Sequence, residues 1–190
     1  RLRAARVPAI LAETVTGQQA SRAWRELLRR YGEPAPGPGA ARGLRVPPAP
    51  ATLAALPYFA FHPLGVEQRR ADTIRRVATR AGWLEEATAL PLDDASARLR
   101  AIPGVGPWTA AEVAARALGD PDAVSVGDFH LPHLVCWALA NEPRGTDERM
   151  LELLSPYAGQ RGRVIRLLEA SVIRAPAYGP RLAPRRIERE

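Results

Sequence analysis

The sequence predicts an all-α protein, on three observations. Apolar residues recur at the three- and four-residue spacing of amphipathic helices in most segments of the 190-residue chain. No segment alternates apolar and polar residues with the period of two that a half-buried strand shows. The apolar content of 46% is ordinary for a globular protein, and no apolar run approaches the roughly 18 residues of a membrane span. Such a chain forms one good-sized domain, or two small lobes that share a core.

The N-terminal half is predicted to contain three helical segments and one long loop. Residues 6–31 carry apolar residues at helical spacing and predict one long helix or two. The next tract, 32–50, is rich in Pro and Gly and predicts a surface loop. A short helix over 51–57 is expected to end at Pro57, and a longer one is expected within 64–81.

The C-terminal half predicts five more helices, most of them bounded by a cap or a helix breaker. Asp93 or Asp94 is a good N-cap for the first helix, and Gly119 is a good C-cap for the second. Pro132 is compatible with the third helix because it falls near the first turn. The five helices are expected at 93–101, 108–118, 129–139, 147–154 and 156–172.

The charge balance of the chain indicates a nucleic-acid partner. There are 27 basic residues against 20 acidic ones, a net charge of +7, and every basic residue is an arginine. Arginine binds phosphate well through its planar guanidinium, but it cannot act as an amine nucleophile. The single cysteine, Cys136, lies in an apolar run and predicts a buried thiol. One cysteine excludes an internal disulfide, a multi-cysteine zinc site and an iron–sulfur cluster held within this chain.

The stretch AIPGVGPWTAAE, residues 101–112, joins two predicted helices through a tight turn. Gly104 and Gly106 permit positive φ angles and remove side chains, so an anion can approach the main chain. Pro107 fits the start of the following helix, whose free N–H groups and dipole favour a negative charge. This combination suits a DNA phosphate held without reading of sequence, and an ordinary interhelical turn is the alternative.

A second segment, GDPDAVSVGDFHL at residues 119–131, places Asp128 after a short apolar run and at the start of a helix. The pattern LxxIPGVGxWTA followed about twenty residues later by VxVGDxHL resembles the helix-hairpin-helix DNA glycosylase superfamily, and the AlkA-type alkylpurine branch above all. The segment TVTGQQAS, residues 14–21, is similar to the part of that family that fills the DNA stack. The resemblance extends over residues 7–172.

The resemblance implies a helix-hairpin-helix glycosylase fold with two helical lobes flanking an active-site cleft. A glycosylase domain is expected over 1–175, with the hairpin unit at 93–118 and the Pro/Gly-rich loop at 32–50. The remaining residues, 176–190, are expected to form a poorly ordered or loosely attached tail. The implied function is base excision repair, in which an enzyme flips out a damaged purine and hydrolyses its N-glycosidic bond.

Asp128 matches the catalytic aspartate of that superfamily. A carboxylate beside the sugar stabilises the positive charge that develops when the N-glycosidic bond breaks, as carboxylates do in glycoside hydrolases. An alkylated purine is already a cationic leaving group, so one carboxylate can suffice. The alternative is that Asp128 caps the following helix, and the two roles are compatible.

Trp108 occupies the position at which family members that also nick DNA carry a lysine. The chain contains no lysine that could form the corresponding Schiff base. An indole face can instead stack on an extruded, electron-poor base, a contact worth roughly 0.5–2 kcal/mol. A monofunctional glycosylase without lyase activity is therefore expected, and simple core packing of Trp108 is the alternative.

Other residues receive roles through the resemblance. Gln19 falls where the family places its wedge, which fills the gap left by the flipped base. Tyr157 resembles an aromatic residue that faces the catalytic aspartate, and Phe61 is a candidate for the base pocket, with hydrophobic packing as the alternative. DNA backbone contacts are expected from residues of the hairpin and of a later basic segment: Gly104, Val105, Gly106, Thr109, Arg161 and Arg163.

No cofactor is expected to be required. The resemblance implies a structural Na+ or K+ on the backbone carbonyls of Arg100, Ile102 and Val105. His130 and His133 lie one helical turn apart, but zinc needs more ligands, so packing and hydrogen bonding are expected of them. The expected partner is double-stranded DNA with damaged bases, bound by a cytoplasmic monomer associated with the bacterial nucleoid and not with a membrane.

Two other functions remain open from the sequence. The helix-hairpin-helix motif also occurs in DNA-binding modules without catalysis, although Gln19, Trp108 and Asp128 together disfavour that reading. An adenine-mismatch or oxidised-purine glycosylase is the second alternative. The absence of a cysteine quartet disfavours its iron–sulfur members, and the absence of lysine disfavours its lyases.

Overall fold

The computed structural model describes residues 2–13 and 15–176, and it confirms an all-α fold. Twelve α-helices and two strands of two residues each account for most of these residues. They divide into two compact units, one reaching to Val105 and the other beginning at Gly106. None of the described helices combines the length and apolarity needed to cross a membrane. The predicted tail over 176–190, apart from Pro176, and Thr14 of the TVTGQQAS segment lie outside the described residues.

The first unit begins with two helices, as one of the two readings of residues 6–31 predicted. Helix α1 (Leu2–Ala12) and helix α2 (Gly17–Tyr31) are separated by a short break. Thr16 forms the N-cap of α2 in an extended conformation, and its hydroxyl accepts a hydrogen bond from the Gln19 amide. Apolar side chains on the inner faces of both helices are fully buried, among them Ile10, Leu11 and Leu27.

The Pro/Gly-rich tract over 32–50 is more ordered than the sequence predicted. Strands β1 (Glu33–Pro34) and β2 (Arg45–Val46) pair antiparallel, with the short helix α3 (Pro38–Ala41) between them. Gly37 and Gly43, with φ angles of 62° and 70°, supply the turns that reverse the chain. The tract is a largely exposed segment that contains a small hairpin, because glycine-rich turns and a few extended residues suffice to form one.

The rest of the first unit is helical. Helix α6 begins at Gln68, within the predicted range of 64–81, and residues 62–64 before it form a 3-10 turn that Gly65 ends at a φ of 76°. Helix α8 begins at Leu92 after the N-cap Pro91, so Asp93 and Asp94 lie in the first turn and not at the cap. Carboxylates in the first turn still interact favourably with the helix dipole. The helices of this stretch are α4 (Pro50–Ala55), α5 (Tyr58–Phe61), α6 (Gln68–Thr79), α7 (Ala81–Glu85) and α8 (Leu92–Arg100).

A buried arginine of α6 forms a hydrogen bond with the end of α1. Arg70 is only 3% exposed, and its guanidinium donates to the carbonyl oxygens of Leu11 at 3.0 Å and Gly65 at 3.4 Å. Burial lowers the pKa of Arg70 below its usual range because the charged form loses hydration. Carbonyl groups at the end of a helix lack partners within the helix, and Arg70 supplies one. The position of the chain just before α2 is thereby fixed.

The second unit consists of four helices and the loop that carries Asp128. Helix α9 (Pro107–Val113) continues through a π-helical turn over Ala114–Leu118 and ends at Gly119, whose φ of 75° confirms the predicted cap. Helix α11 (Asp147–Leu154) has the predicted bounds. Helix α10 (Leu131–Ala140) begins two residues later than expected. Helix α12 (Arg161–Ala170) is shorter than expected, because Gly159 at a φ of 85° separates it from a 3-10 turn over Ser155–Tyr157.

The core of the second unit packs α10, α11 and α12 together. Cys136 is fully buried on α10, as the sequence predicted, and burial raises the pKa of its thiol. A buried thiol of raised pKa has little thiolate and is chemically inert. The core cluster that surrounds this region consists of Leu131, Val135, Met150, Leu154 and Ile165.

Candidate active site

Asp128 is held by the beginning of α10. Its Oδ1 accepts hydrogen bonds from the backbone N–H groups of His130, at 2.7 Å, and Leu131, at 3.0 Å. The first amides of a helix have no partner within the helix, so the carboxylate satisfies groups that would otherwise need water. The sequence predicts Asp128 as the N-cap itself, whereas the N-cap residue of α10 is His130 and Asp128 binds the first amides from two residues farther upstream. The residues between Asp128 and the helix make these contacts in a loop conformation, which explains the late start of α10.

The second oxygen of Asp128 is bound by Trp108. The indole Nε1–H donates to Asp128 Oδ2 at 2.9 Å, across 20 residues of sequence. Both side chains are half-buried. The sequence predicted either base stacking or core packing for Trp108, and neither role includes a hydrogen bond to Asp128. Asp128 thus accepts three N–H donors from α9 and α10, which fix both of its oxygens before any substrate binds.

The loop before Asp128 forms hydrogen bonds with side chains of α9 and α11. Ser125, 6% exposed, donates from Oγ to Oε1 of Glu112 on α9 at 2.6 Å. The backbone N–H of Gly127 donates to Oδ2 of Asp147 at the start of α11, at 2.9 Å. No signal in the sequence indicates either acid, because no spacing rule links Glu112 or Asp147 to the loop.

Helix α12 holds the beginning of the same loop through Arg161. The Arg161 Nε donates to both carboxylate oxygens of Asp122, at 2.9 and 3.0 Å, and the Arg161 amide donates to Oδ1 at 2.8 Å. These hydrogen bonds hold the pKa of Asp122 below its usual range. Gly162 allows the close approach, because a Cβ there would lie 2.5 Å from the carbonyl oxygen of Ala123. Arg161 therefore has a structural partner, whereas Arg163 is exposed, and their contacts with DNA stay predictions.

Three carboxylates of this unit, those of Glu112, Asp128 and Glu169, lie close enough to repel one another. Partial burial, followed by repulsion from Glu112 and Asp128, raises the pKa of Glu169 on α12 above its usual range. The Glu112 carboxylate is partly neutralised by Arg116, at 2.7 Å, and by the Ser125 hydroxyl. Negative charge near Asp128 suits chemistry in which positive charge develops on a substrate.

The raised pKa of Glu169 predicts a pH-dependent stability. The folded state favours protonated Glu169, so this stabilisation is complete below the usual pKa of about 4.5 and is lost as the pH rises through the folded-state pKa. We expect Glu169→Gln to melt at a higher temperature than the parent at about pH 7.5, and at nearly the same temperature at about pH 4. Thermal melts at the two pH values measure this difference.

Glu148 provides a control of opposite sign for that measurement. Hydrogen bonds from its own backbone amide and from Thr146 lower the pKa of Glu148, so its ionised form stabilises the fold. Glu148→Gln should therefore lower the melting temperature at neutral pH and have less effect in acid. Equal effects of Glu169→Gln at both pH values would contradict the electrostatic interpretation.

The two hairpin glycines differ in why they are needed. Gly104 has a φ of 97°, and a Cβ there would lie 2.1 Å from Oγ1 of Thr73 on α6. Gly106 has a φ of −87°, which any residue adopts, and open space around the position of a Cβ. The predicted positive φ is thus confirmed for Gly104 and wrong for Gly106. At Gly106 the glycine is not needed for its φ angle, and its remaining feature is that it carries no side chain.

The other hairpin residues expose little side chain. Val105 is 8% exposed and Thr109 is 2% exposed, so DNA contacts from them would have to come from the backbone. The carbonyl oxygen of Ile102 accepts the Val105 N–H at 3.0 Å and closes the turn. The guanidinium of Arg76 lies 3.4 Å from the neighbouring carbonyl oxygen of Pro103. A cation bound by the carbonyls of Arg100, Ile102 and Val105 stays a prediction.

Gln19 has a local structural role at the start of α2. Its Oε1 accepts from the backbone N–H of Thr16 at 3.1 Å and from the Thr16 hydroxyl at 3.0 Å. With the bond from the Gln19 amide to the Thr16 hydroxyl, this forms a capping box. The wedge role stays a prediction, and it would require the Gln19 side chain to leave these partners.

The two aromatic candidates for the base pocket lie in different environments. Phe61 is completely buried in the first unit, so it has no surface to offer a base, and its assignment to the pocket was wrong. The structure instead shows hydrophobic packing of Phe61, which was the alternative prediction. Tyr157 is 42% exposed in the 3-10 turn before α12, where it is accessible to a ligand. Its place beside a base stays a prediction.

The two histidines have packing and hydrogen-bonding partners. His133 Nδ1 accepts the backbone N–H of Gly145 at 3.0 Å, and the ring of Phe129 lies edge-on to both His130 and His133. Within residues 2–13 and 15–176, no three His, Cys, Asp or Glu side chains are grouped to hold a metal ion. Phe129 itself is 78% exposed directly beside Asp128, and sequence reasoning gave it no role.

Comparison with known proteins gives a short sequence match and extensive structural matches. No family model matches the chain. Over 37 residues the chain is 57% identical to a probable bifunctional transcriptional activator/DNA repair enzyme AlkA of Mycobacterium tuberculosis, a match to 20% of this chain and 8% of that protein. The 3-methyladenine DNA glycosylase of Archaeoglobus fulgidus superposes with a TM-score of 0.76 at 19% identity, covering 88% of this chain and 56% of that one.

Two further solved structures share the fold. A 3-methyladenine DNA glycosylase of Schizosaccharomyces pombe, in complex with abasic DNA, has a TM-score of 0.74 at 17% identity and covers 88% of this chain and 78% of its own. An 8-oxoguanine glycosylase/lyase of Clostridium acetobutylicum, in complex with DNA, has a TM-score of 0.69 at 15% identity and covers 85% of this chain and 56% of its own. The chain has the fold of the helix-hairpin-helix DNA glycosylases, with 3-methyladenine and 8-oxoguanine enzymes as its structural neighbours.

Proposed function

We propose that the chain is a monofunctional DNA glycosylase of base excision repair that hydrolyses the N-glycosidic bond of alkylated purines. The observation that carries this proposal is the carboxylate of Asp128, fixed by the backbone amides of His130 and Leu131 and by the indole of Trp108. A fixed, half-exposed carboxylate is a ready anion for a cationic transition state and needs little reorganisation during the reaction. The net charge of +7 suits a polyanionic partner.

The chemistry follows from the charge of the reacting groups. As the bond between C1′ of the sugar and the base nitrogen breaks, its electron pair leaves with the base and the sugar becomes an oxocarbenium-like cation. Asp128 stabilises that cation, and a water molecule attacks C1′ and loses a proton. An alkylated purine carries a positive charge that the departing electron pair neutralises. Such a base leaves without a general acid, in agreement with a site organised around one carboxylate.

The absence of lysine, with Trp108 at the position where the lyases carry theirs, supports hydrolysis without strand cleavage. A lyase of this superfamily uses a lysine amine to form a Schiff base with the sugar, and the 190 residues contain no lysine. We expect the product DNA to remain intact after base release and to break only on treatment with hot alkali. Denaturing gel electrophoresis before and after alkali measures this. Enzymatic nicking at the abasic site would contradict the proposal of monofunctionality while leaving the glycosylase activity intact.

The experiment that tests the function is release of free bases from methylated duplex DNA, followed by chromatography. We expect 3-methyladenine to be released, because 3-methyladenine DNA glycosylases share this fold. A duplex containing 8-oxoguanine belongs in the same panel, because an 8-oxoguanine glycosylase/lyase shares this fold. Tight DNA binding with no base released from any duplex would favour a binding module without catalysis.

A further inference from the structure

Gly127, the residue before Asp128, is held in place by a side chain of α11. Its φ of 88° lies in the region that favours glycine, and a residue without a Cβ is the least restrained part of a chain. Its N–H donates to Oδ2 of Asp147 at 2.9 Å. This hydrogen bond therefore restrains the backbone that leads into Asp128. It acts on the peptide between Val126 and Gly127, next to the peptide whose Asp128 N–H donates to the Ser125 carbonyl oxygen at 3.3 Å.

Stability of α11 accounts for only part of the placement of Asp147, whose carboxylate lies in the first turn and interacts favourably with the helix dipole. Thr146 is the N-cap of α11, and its hydroxyl accepts the N–H of Arg149 at 3.3 Å. The capping role is therefore already filled. The other oxygen of Asp147, Oδ1, is buried and has no hydrogen-bond partner among the residues that the structure describes. A buried acceptor without a partner costs stability and offsets part of the gain from the helix dipole, so the hydrogen bond from Gly127 is the specific contact of this side chain.

We propose that Asp147 is a positioning residue for Asp128, an inference that rests on the proposed glycosylase function. Asp147 fixes the peptide of Gly127, and Trp108 with the first amides of α10 fixes the carboxylate itself. Asp147 acts through the backbone and does not touch the reacting atoms. Loss of its hydrogen bond frees Gly127 and lets the carboxylate move relative to the sugar. A displacement of about 1 Å can lower a rate by about a hundredfold.

The test compares Asp147→Ala with Asp147→Asn in the base-release assay. We expect Asp147→Ala to lower kcat by about tenfold to a hundredfold, with KM for damaged duplex within about threefold of the parent. Asn keeps an oxygen that can accept from Gly127, so Asp147→Asn should retain kcat within about threefold. Glu148→Ala is the matched control, because Glu148 is the next residue of α11 and is exposed. It should retain the parental kcat.

A second readout does not depend on activity. Hydrogen exchange of the Gly127 amide, followed by NMR, should be slow in the parent and in Asp147→Asn and faster in Asp147→Ala. Parental kcat in an Asp147→Ala variant would overturn the positioning role while leaving the glycosylase proposal intact. A parallel loss of melting temperature, DNA affinity and kcat would also overturn it, since that pattern indicates a structural role. Absence of base release by the parent protein would instead overturn the proposed function.

Discussion

Replacing Asp128 with asparagine is expected to lower the rate of base release by about a hundredfold to a thousandfold. The substitution keeps the shape of the side chain and an oxygen for the amides of His130 and Leu131. It removes the negative charge that stabilises the developing cation. Affinity for damaged duplex should change by less than about threefold, because a carboxylate contributes nothing favourable to phosphate contacts. Single-turnover release from methylated duplex, with binding measured separately, checks both expectations.

The Trp108 indole complicates that variant and also provides its control. In Asp128→Asn an amide NH2 can face the indole N–H, so two donors would oppose each other. Trp108→Phe removes the indole donor and isolates its contribution. Because the two side chains act as one unit, we expect the double variant to be no slower than Asp128→Asn alone. A full additive loss would indicate that Trp108 serves the reaction independently of Asp128, for example by stacking on the base.

Asp120→Asn is the matched control within the same loop. Asp120 Oδ1 accepts the N–H of Asp122 at 2.8 Å, a bond that the asparagine oxygen can also accept. Its substitution changes the net charge by the same amount as Asp128→Asn. Parental rates are expected for this variant. An Asp128→Asn variant with parental turnover would remove Asp128 from the active site and mean that another group stabilises the developing cation.

The sequence predicted features whose signals are local. The turn with Gly104, the cap at Gly119 and the bounds of α11 follow from short-range rules for glycine and helix ends. Thr16 and Gln19 also carry the local signature of a capping box, a threonine followed three residues later by glutamine. This signal predicts the start of α2, whereas the resemblance assigns Gln19 only a wedge role.

The parts that the sequence could not predict depend on tertiary packing. The Trp108–Asp128 hydrogen bond joins helix α9 to the loop before α10 through side chains 20 residues apart, and no local pattern indicates it. The bond from Gly127 to Asp147 is of the same kind. The burial of Phe61 in one unit likewise depends on which helices surround it, so an aromatic cluster in the sequence cannot distinguish a pocket from a core.

Substitution of the two hairpin glycines should separate a folding requirement from a binding one. In Gly104→Ala the new methyl group meets Thr73 Oγ1 at 2.1 Å, and the residue must adopt a φ of 97°. We expect the free energy of unfolding to fall by at least about 2 kcal/mol, from the strained backbone and the overpacking together. Chemical denaturation measures this. Thr73→Ala in the same chain removes the closest atom and should recover part of the loss.

Gly106→Ala should have the opposite profile. Its φ of −87° and the open space around it accommodate a methyl group, so the free energy of unfolding should change by less than about 0.5 kcal/mol. A methyl group that projects from the hairpin would keep a phosphate from the backbone N–H groups. We therefore expect about tenfold weaker binding to duplex DNA, with a smaller salt dependence because a phosphate contact is lost.

Gly82→Ala is the control for both glycine variants. Gly82 lies within α7 with open space at the position of a Cβ, so alanine there should leave DNA affinity unchanged and should not destabilise the fold. Weaker binding by Gly106→Ala alone would indicate that the hairpin backbone contacts DNA. Parental affinity and salt dependence of Gly106→Ala would mean that the turn only connects two helices. The loss of stability in Gly104→Ala would then be the whole reason for a glycine in this stretch.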